Sequence, residues 1–270
     1  MRNHMSAILL SLTATVSATA AAHHLFIVPD SYRAAPGDVL TLGVHNADSF
    51  PDSESIASRF DGLELYAAGD SISVSVREDD KRLVGDARID SAGHVFATAA
   101  TAPAVIELDA EEFTDYLREE GLAHVIEWRE RYGEADEPGR ERYAKYAKSI
   151  MLSGGAEADE THARMLGLPI EIVPEKSPYR LTVGEVLPVR VLFHGAPAAD
   201  LEVKAAWISE NGAAEQRIVG RTDADGRLNV PVDAAGPWRL HTILMERRSE
   251  PDVDWESYWA TLTFSVPQER

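Results

Sequence analysis

The sequence predicts a mainly β protein made of two β-sandwich modules of the immunoglobulin or transthyretin kind, with a helical insertion in or after the first. Short segments alternate apolar and polar residues, as where Ile72, Val74 and Val76 stand among serines, which is typical of half-buried strands. Turn residues separate these segments at short intervals. After Asp109 the period of apolar residues changes to that of a helix, and it returns to a strand pattern at Leu168.

The first module covers residues 23–175. It begins with a buried strand at residues 25–28, which Pro29 ends. A turn at residues 35–38 leads into a second strand, residues 39–45, and further short strands follow up to residue 108. Turn-separated strands of this length are typical of a sandwich.

The helical segment covers residues 109–152. Asp109 and Glu112 have the spacing of a capping box, in which a side chain at each position satisfies a free N–H at the start of a helix. We expect two helical stretches, the first near residues 110–126 and the second near residues 140–150. Apolar residues at helical spacing support them: Phe113, Tyr116, Leu117, Leu122, Val125 and Ile126 in the first, and Tyr143, Tyr146, Ala147 and Ile150 in the second.

The second module covers residues 176–270 and is predicted to be an immunoglobulin-like sandwich. Its strand-like runs are joined by glycine-containing turns, among them residues 210–212 and 223–226. The run Asp223-Ala224-Asp225-Gly226 resembles the start of a calcium loop, but it lacks the later ligands and the closing glutamate. We therefore interpret it as a hairpin turn.

The N-terminus has the three parts of a secretory signal peptide: a basic residue, Arg2, an apolar run at residues 7–12 and alanines at residues 20–22. A membrane span needs about 20 strongly apolar residues, and serine and threonine interrupt this run from Ser11 onward. We therefore expect cleavage of residues 1–22, a mature chain that begins at His23, and a periplasmic location. After cleavage, no stretch is apolar and long enough for a membrane span.

Composition excludes several classes of function. The net charge of −19 repels phosphate backbones, so nucleic-acid binding is not expected. The absence of cysteine excludes disulfides, thiolate metal sites and cysteine nucleophiles. The sequence contains no phosphate-binding loop and no hydrolase or metalloprotease motif. Nothing in it specifies an enzyme.

The candidate site residues are histidines. Cleavage before His23 would provide an α-amine next to an imidazole, and the two together can chelate one metal ion. A second imidazole would complete a site suited to nickel, cobalt, copper or zinc. His45 and His241 are the favoured partners, and His94 and His194 remain open as alternatives. His24 is a weaker candidate than His23, because adjacent strand residues point to opposite faces.

Several segments resemble one family of exported bacterial proteins, grouped as domain of unknown function 4198 and also called NikM-like. They are the junction Ala22-His23 followed by Phe26 and Pro29, and residues 112–122, 140–148, 167–174, 222–226 and 255–264. The resemblance covers essentially the whole mature chain and implies helices at residues 112–122 and 140–148. It also implies an association with nickel or cobalt uptake. Relatives often have Gly-His where this chain has Val44-His45, which leaves the second ligand open.

The function expected from these observations is a periplasmic metal-binding accessory protein. It would deliver or buffer a divalent transition metal, with nickel or cobalt favoured, and an inner-membrane metal transporter would be its partner. Two alternatives stay open: a non-catalytic adhesion or assembly module, and a copper oxidase that uses the terminal histidine as a brace.

Overall fold

A computed structural model describes residues 23–155, 159–209 and 211–268, and this part of the chain is mainly β. The predicted signal peptide, residues 1–22, lies outside the described residues. The strands are β1 (His24–Pro29), β2 (Arg33–Ala34), β3 (Val39–Ala47), β4 (Phe60–Ala67), β5 (Asp70–Ser73), β6 (Arg77–Asp79), β7 (Arg82–Arg88), β8 (Gly93–Thr101), β9 (Ala104–Leu108), β10 (Gly139–Ser153), β11 (Ile170–Pro174), β12 (Val186–Phe193), β13 (Ala196–Pro197), β14 (Glu202–Ile208), β15 (Ala214–Arg221), β16 (Arg227–Pro231), β17 (Gly236–Glu250) and β18 (Val253–Val266). The α-helices are α1 (Ala110–Glu119) and α2 (Ala123–Tyr132), and short 3-10 helices cover Glu160–Ala163 and Pro178–Arg180.

The largest sheet has ten strands and includes strands from both predicted modules. Its order is β15-β14-β17-β18-β10-β8-β4-β5, with β2 and β9 also paired to β10. The two modules meet where β10 and β18 pair in parallel, with Tyr143 opposite Ser257. The mainly β fold with sandwich sheets is confirmed, while the module boundary at residue 175 stays a prediction.

Two four-stranded sheets complete the fold: β1-β3-β7-β6, and β11-β12-β13 with β16 beside β12. They lie on opposite faces of β18. On one face Thr261 Oγ1 donates a hydrogen bond to the carbonyl oxygen of Leu25 on β1, at 2.7 Å. On the other face Tyr258 packs edge-on against Phe193 on β12, with ring centroids 4.9 Å apart. Odd and even residues of a strand face opposite sides, so β1 crosses the face of the sheet to which Thr261 points.

The first helical stretch is confirmed. The Asp109 carboxylate accepts the Glu112 N–H at 2.9 Å, as expected of a capping residue. Phe113 and Leu117 of α1 and Val125 of α2 are buried against the ten-stranded sheet, in a cluster with Trp255 and Trp259. No helix in the described ranges has the length and apolarity needed to cross a membrane.

The second predicted helix is wrong: residues 139–153 form the central strand β10. This strand pairs with β18 on one side and with β8 and β9 on the other. A strand buried on both faces does not alternate apolar and polar residues, and Ala144, Ala147 and Ile150 are all buried here. Their spacing imitates a helical stripe, which explains why the period did not distinguish the two structures.

A buried ion pair links β10 to β11. Lys148 Nζ lies 2.6 Å from Glu171 Oε1, and both side chains are almost completely buried. Glu171 also accepts the backbone N–H groups of Leu166 and Gly167. Removing one partner leaves the other charge buried without compensation.

We therefore expect Lys148→Met to lower the free energy of unfolding by about 3–5 kcal/mol, measured by urea denaturation. Adding Glu171→Gln should recover part of the loss, because the amide oxygen still accepts the backbone N–H groups without a charge. The control is Lys176→Met, which breaks a partly exposed pair with Glu185 and should cost much less stability. Equal losses at the two positions would contradict the assignment of a strong buried pair.

Candidate metal centre

The candidate site is formed where the first described strand crosses the ten-stranded sheet. His24, at the start of β1, is buried and stacks on His241 of β17, with ring centroids 3.8 Å apart and planes inclined by 26°. Trp259 of β18 lies beside both rings, at 5.9 Å from His24 and 5.6 Å from His241. Residues that are 217 positions apart in the chain (241 minus 24) therefore meet in one buried place.

His241 lies on the face of β17 that the sequence predicted. It shares that face with Arg239 and Ile243, while Trp238 and Leu240 pack into the hydrophobic core on the other side. It pairs with Lys204 of β14 on one side and with Thr261 of β18 on the other. The sheet therefore directs its imidazole toward β1.

Glu120 reaches the two histidines from the C-terminal end of α1. Its backbone N–H donates to the Tyr116 carbonyl oxygen, and the chain then turns through Gly121 at φ +71°. Glycine suits this turn because residues with a Cβ rarely adopt a positive φ, and a Cβ here would also displace the Glu202 carboxylate. The Glu120 carboxylate places Oε2 3.3 Å from His241 Nε2 and Oε1 3.7 Å from His24 Nε2.

The electrostatics keep both imidazoles neutral and the carboxylate ionised. Burial, together with the neighbouring His241, lowers the pKa of His24 well below its ordinary value, and burial also lowers the pKa of His241. Burial alone would raise the pKa of Glu120, but its interactions with the two imidazoles outweigh burial and hold the pKa below the ordinary value. Neutral imidazole and ionised carboxylate are the protonation states that bind metals.

Both histidines have buried nitrogen atoms with no hydrogen-bond partner among the described residues: Nδ1 and Nε2 of His24, and Nδ1 of His241. Buried polar atoms without partners are uncommon in folded proteins. Two donors that bind one tetrahedral ion at about 2.0–2.2 Å lie roughly 3.3–3.6 Å apart. The carboxylate–imidazole separations of 3.3 and 3.7 Å are close to this range, so the three side chains fit a metal ion.

A cavity of about 350 Å³ leads to this group. Its walls include His24 and Glu120 as well as Lys204, Arg217 and Asp48. The cavity therefore opens beside His24 and Glu120.

The sequence matches one known protein family. A family model described as "domain of unknown function" (DUF4198) matches residues 20–246. The chain belongs to this family. The match confirms the resemblance at the level of the family, whose description carries no function. No curated protein matches the sequence.

Some solved structures are distantly similar to this chain. A DUF4785 family protein from Legionella pneumophila is 14% identical, with a TM-score of 0.27, over 80% of this chain and 52% of that one. A tetra-tandem repeat in the extending region of a large adhesion protein is 9% identical, with a TM-score of 0.26, over 90% and 49%. The chain thus spans about half the length of these structures. At such TM-scores the likeness carries no argument about function.

His23 lies in a second, more exposed group of possible ligands. Its Nε2 is 3.3 Å from Glu54 Oε2 and 3.9 Å from Asp48 Oδ2, and its Nδ1 faces the Asn46 side-chain amide at 3.4 Å. Asp48 and Glu54 are both exposed. His23 and His24 point to different groups, as expected for neighbours on a strand.

His45 belongs to neither group. It stacks on Phe26, with ring centroids 5.3 Å apart, and burial together with the Arg82 charge lowers its pKa to about 4. Of the three predicted ligands, the described structure places only His241 beside a second histidine, and that histidine is His24. His45 and His23 do not join His241 among the clustered donor atoms of the described residues.

The other two alternative histidines are also accounted for. His94 uses both ring nitrogens, with Nδ1 3.1 Å from Asp159 Oδ2 and Nε2 2.8 Å from Ser177 Oγ. His194 is an exposed residue after β12 that contacts Phe193. Neither lies in the clusters around His24 or His23.

Glu120 was missed from the sequence. It stands in a run of charged residues at the end of a predicted helix, Arg118-Glu119-Glu120-Gly121, and such a run is most often a solvated face. Glu119 is indeed exposed, whereas Glu120 is buried. The signal that could have identified it is the glycine after it, which turns the chain and directs the preceding carboxylate inward.

Proposed function

We propose that this chain is an exported metal-binding accessory protein that holds a divalent transition metal through His24, Glu120 and His241. The observation that carries the proposal is the burial of two neutral imidazoles, with unpartnered nitrogen atoms, around one ionised carboxylate. A bound cation would give His24 Nε2 a partner and compensate the carboxylate charge. The metal is cargo that the protein binds and releases.

The donor set selects the class of metal. Two imidazoles and one carboxylate suit borderline first-row ions such as nickel, cobalt, copper and zinc. Calcium and magnesium prefer oxygen donors alone. Three protein ligands leave at least one position open to a small ligand, and an open position makes exchange with a partner easier than a closed four-residue site would. Among these ions we favour nickel or cobalt, on the resemblance of the sequence to the NikM-like proteins.

The proposed location rests on the N-terminal sequence, and the proposed partner rests on the resemblance to NikM-like proteins. The signal-like residues 1–22 support export to the periplasm, where the protein would deliver or buffer the metal for an inner-membrane transporter. The cavity that reaches the site supports exchange without unfolding of the strand that carries His24.

The direct test is titration of nickel and cobalt into the mature protein, followed by calorimetry. We expect one strong site per chain, and we expect His241→Ala to lose it. The control is His124→Ala, because His124 is an exposed residue of α2 outside the clustered donors and its removal should leave the affinity unchanged. Equal affinity in wild type and His241→Ala would overturn the proposal.

A second test separates this site from one built on the terminal amine. One extra serine before His23 converts the α-amine of the mature chain into an amide, a poor ligand. We expect this extension to leave the affinity unchanged, because His24, Glu120 and His241 supply all three donors. Loss of nickel, cobalt or copper binding on extension, measured by the same titration, would assign the site to His23 and favour the histidine-brace alternative.

A further inference from the structure

A lysine lies against the carboxylate of the candidate site. Lys204 stands opposite His241 on the neighbouring strand. Its Nζ is 3.0 Å from Glu120 Oε2 and also donates to the Glu119 carbonyl oxygen at the end of α1. The side chain is 23% exposed and lines the cavity.

Lys204 and a metal ion would compete for the same oxygen atom. Glu120 Oε2 lies 3.3 Å from His241 Nε2 and 3.0 Å from Lys204 Nζ. A divalent ion bound to that oxygen repels an ammonium group so close to it. The ammonium group would then lose its interaction with Glu120 but stay beside the carbonyl end of the helix, which favours a cation.

The charge at the bottom of the cavity would then be positive. A divalent ion with one carboxylate and two neutral imidazoles carries a net charge of about +1, and Lys204 adds another. Arg217 lines the same cavity and is held in place by Asp233 and by the Trp207 ring, 4.9 Å away. The acidic groups of the cavity wall, Asp48 and Glu119, are exposed, so water screens them more strongly than it screens the buried site.

We infer that the metal is held together with a small carboxylate ligand, which occupies the open coordination position and accepts a hydrogen bond from Lys204. This inference rests on the proposed metal site. A cavity of about 350 Å³ is large enough for a small organic acid. An ammonium–carboxylate hydrogen bond is charge-assisted and therefore among the stronger kinds. The cargo of this protein would accordingly be a metal carboxylate complex as well as the bare ion.

The test uses cobalt(II), whose visible absorption reports its ligands. Cobalt is added to the mature protein, and acetate is then titrated at constant ionic strength with perchlorate as the balancing salt. We expect a saturable change in the spectrum of wild type. Lys204→Met should weaken acetate binding about tenfold or more, and it should raise cobalt affinity in the absence of acetate, because the competing ammonium is gone.

Two further variants keep the test decisive. Lys204→Arg retains the positive charge and should retain the acetate effect, while Lys176→Met removes a partly exposed lysine that does not line the cavity and should change nothing. If wild type binds cobalt but acetate leaves its spectrum unchanged, the inference is overturned and the proposed metal site stands. If wild type does not bind cobalt, both fail. Wild-type acetate affinity in Lys204→Met also overturns the inference.

Discussion

Glu120→Gln is expected to lower the affinity for nickel and cobalt by at least about a hundredfold. Glutamine has the shape of glutamate, but it removes the one negative charge among the three donors and replaces a carboxylate oxygen by a weakly basic amide oxygen. Even substitution of a residue that only hydrogen-bonds to a metal ligand commonly lowers metal affinity about 10- to 100-fold. Loss of the charge on a ligand itself should therefore lower the affinity more. The measurement is competition with a chelator of known affinity.

Glu119→Gln is the matched control, because it makes the same chemical change one residue earlier on the same helix end. Glu119 is exposed, and only its carbonyl oxygen contacts Lys204. Its side-chain substitution should leave metal affinity unchanged, and circular dichroism should show both variants folded. If both variants bind as wild type does, the Glu120 carboxylate is not a ligand. If both lose binding equally, the loss reflects the overall charge of the cavity.

The fold class could be predicted because several strands, such as β12 and β14, are buried mainly on one face and therefore alternate. The role of Asp109 as a helix cap could also be predicted, since its contact with Glu112 is local. Strand β10 could not be predicted in the same way. Its position between β18 and β8 buries both faces, and a buried strand and a buried helix differ little in apolar period.

The site could be predicted only in part, for a related reason. His241 was placed on the strand face of Arg239 and Ile243, opposite Trp238 and Leu240, because successive side chains of a strand point to opposite sides. β1 does not alternate: five of its six residues are buried, so the sequence does not tell which face meets the large sheet. His23 and His24 point to different groups, as predicted. The sequence analysis favoured His23, whereas it is His24 that contacts His241. The approach of Glu120 depends on the packing of α1, which the glycine after it marks only as a turn.

Acidification of the metal-free protein is expected to destabilise it strongly below about pH 6. Burial lowers the pKa of several histidines in the folded state, namely His24, His45, His94 and His241. In the unfolded chain each has its ordinary pKa near 6.5, so below that pH the unfolded state binds more protons than the folded state. The free energy of unfolding therefore falls with pH, by up to about 1.4 kcal/mol per pH unit for each such histidine.

One buried group acts in the opposite direction. Burial raises the pKa of Glu141 to about 7, although hydrogen bonds from Tyr116 and Ser257 oppose the rise. The folded state therefore takes up this proton before the unfolded state does, which adds stability as the pH falls from 7 toward 4.5. One such carboxyl group does not offset four histidines. Glu120 adds to the loss only near and below its ordinary value of about 4.5.

His45 allows this prediction to be tested at a single residue. Its pKa of about 4 in the folded state means that it contributes to the pH dependence between about pH 6.5 and 4, and at most about 3 kcal/mol in total. Urea denaturation of the chelator-treated protein at a series of pH values should show stability falling steeply across this range. His45→Gln should flatten that slope by about 1.4 kcal/mol per pH unit, whereas His124→Gln, at an exposed position, should leave it as in wild type. A stability independent of pH between 7 and 5 would mean that these histidines become protonated without unfolding, and that the buried site is open to protons.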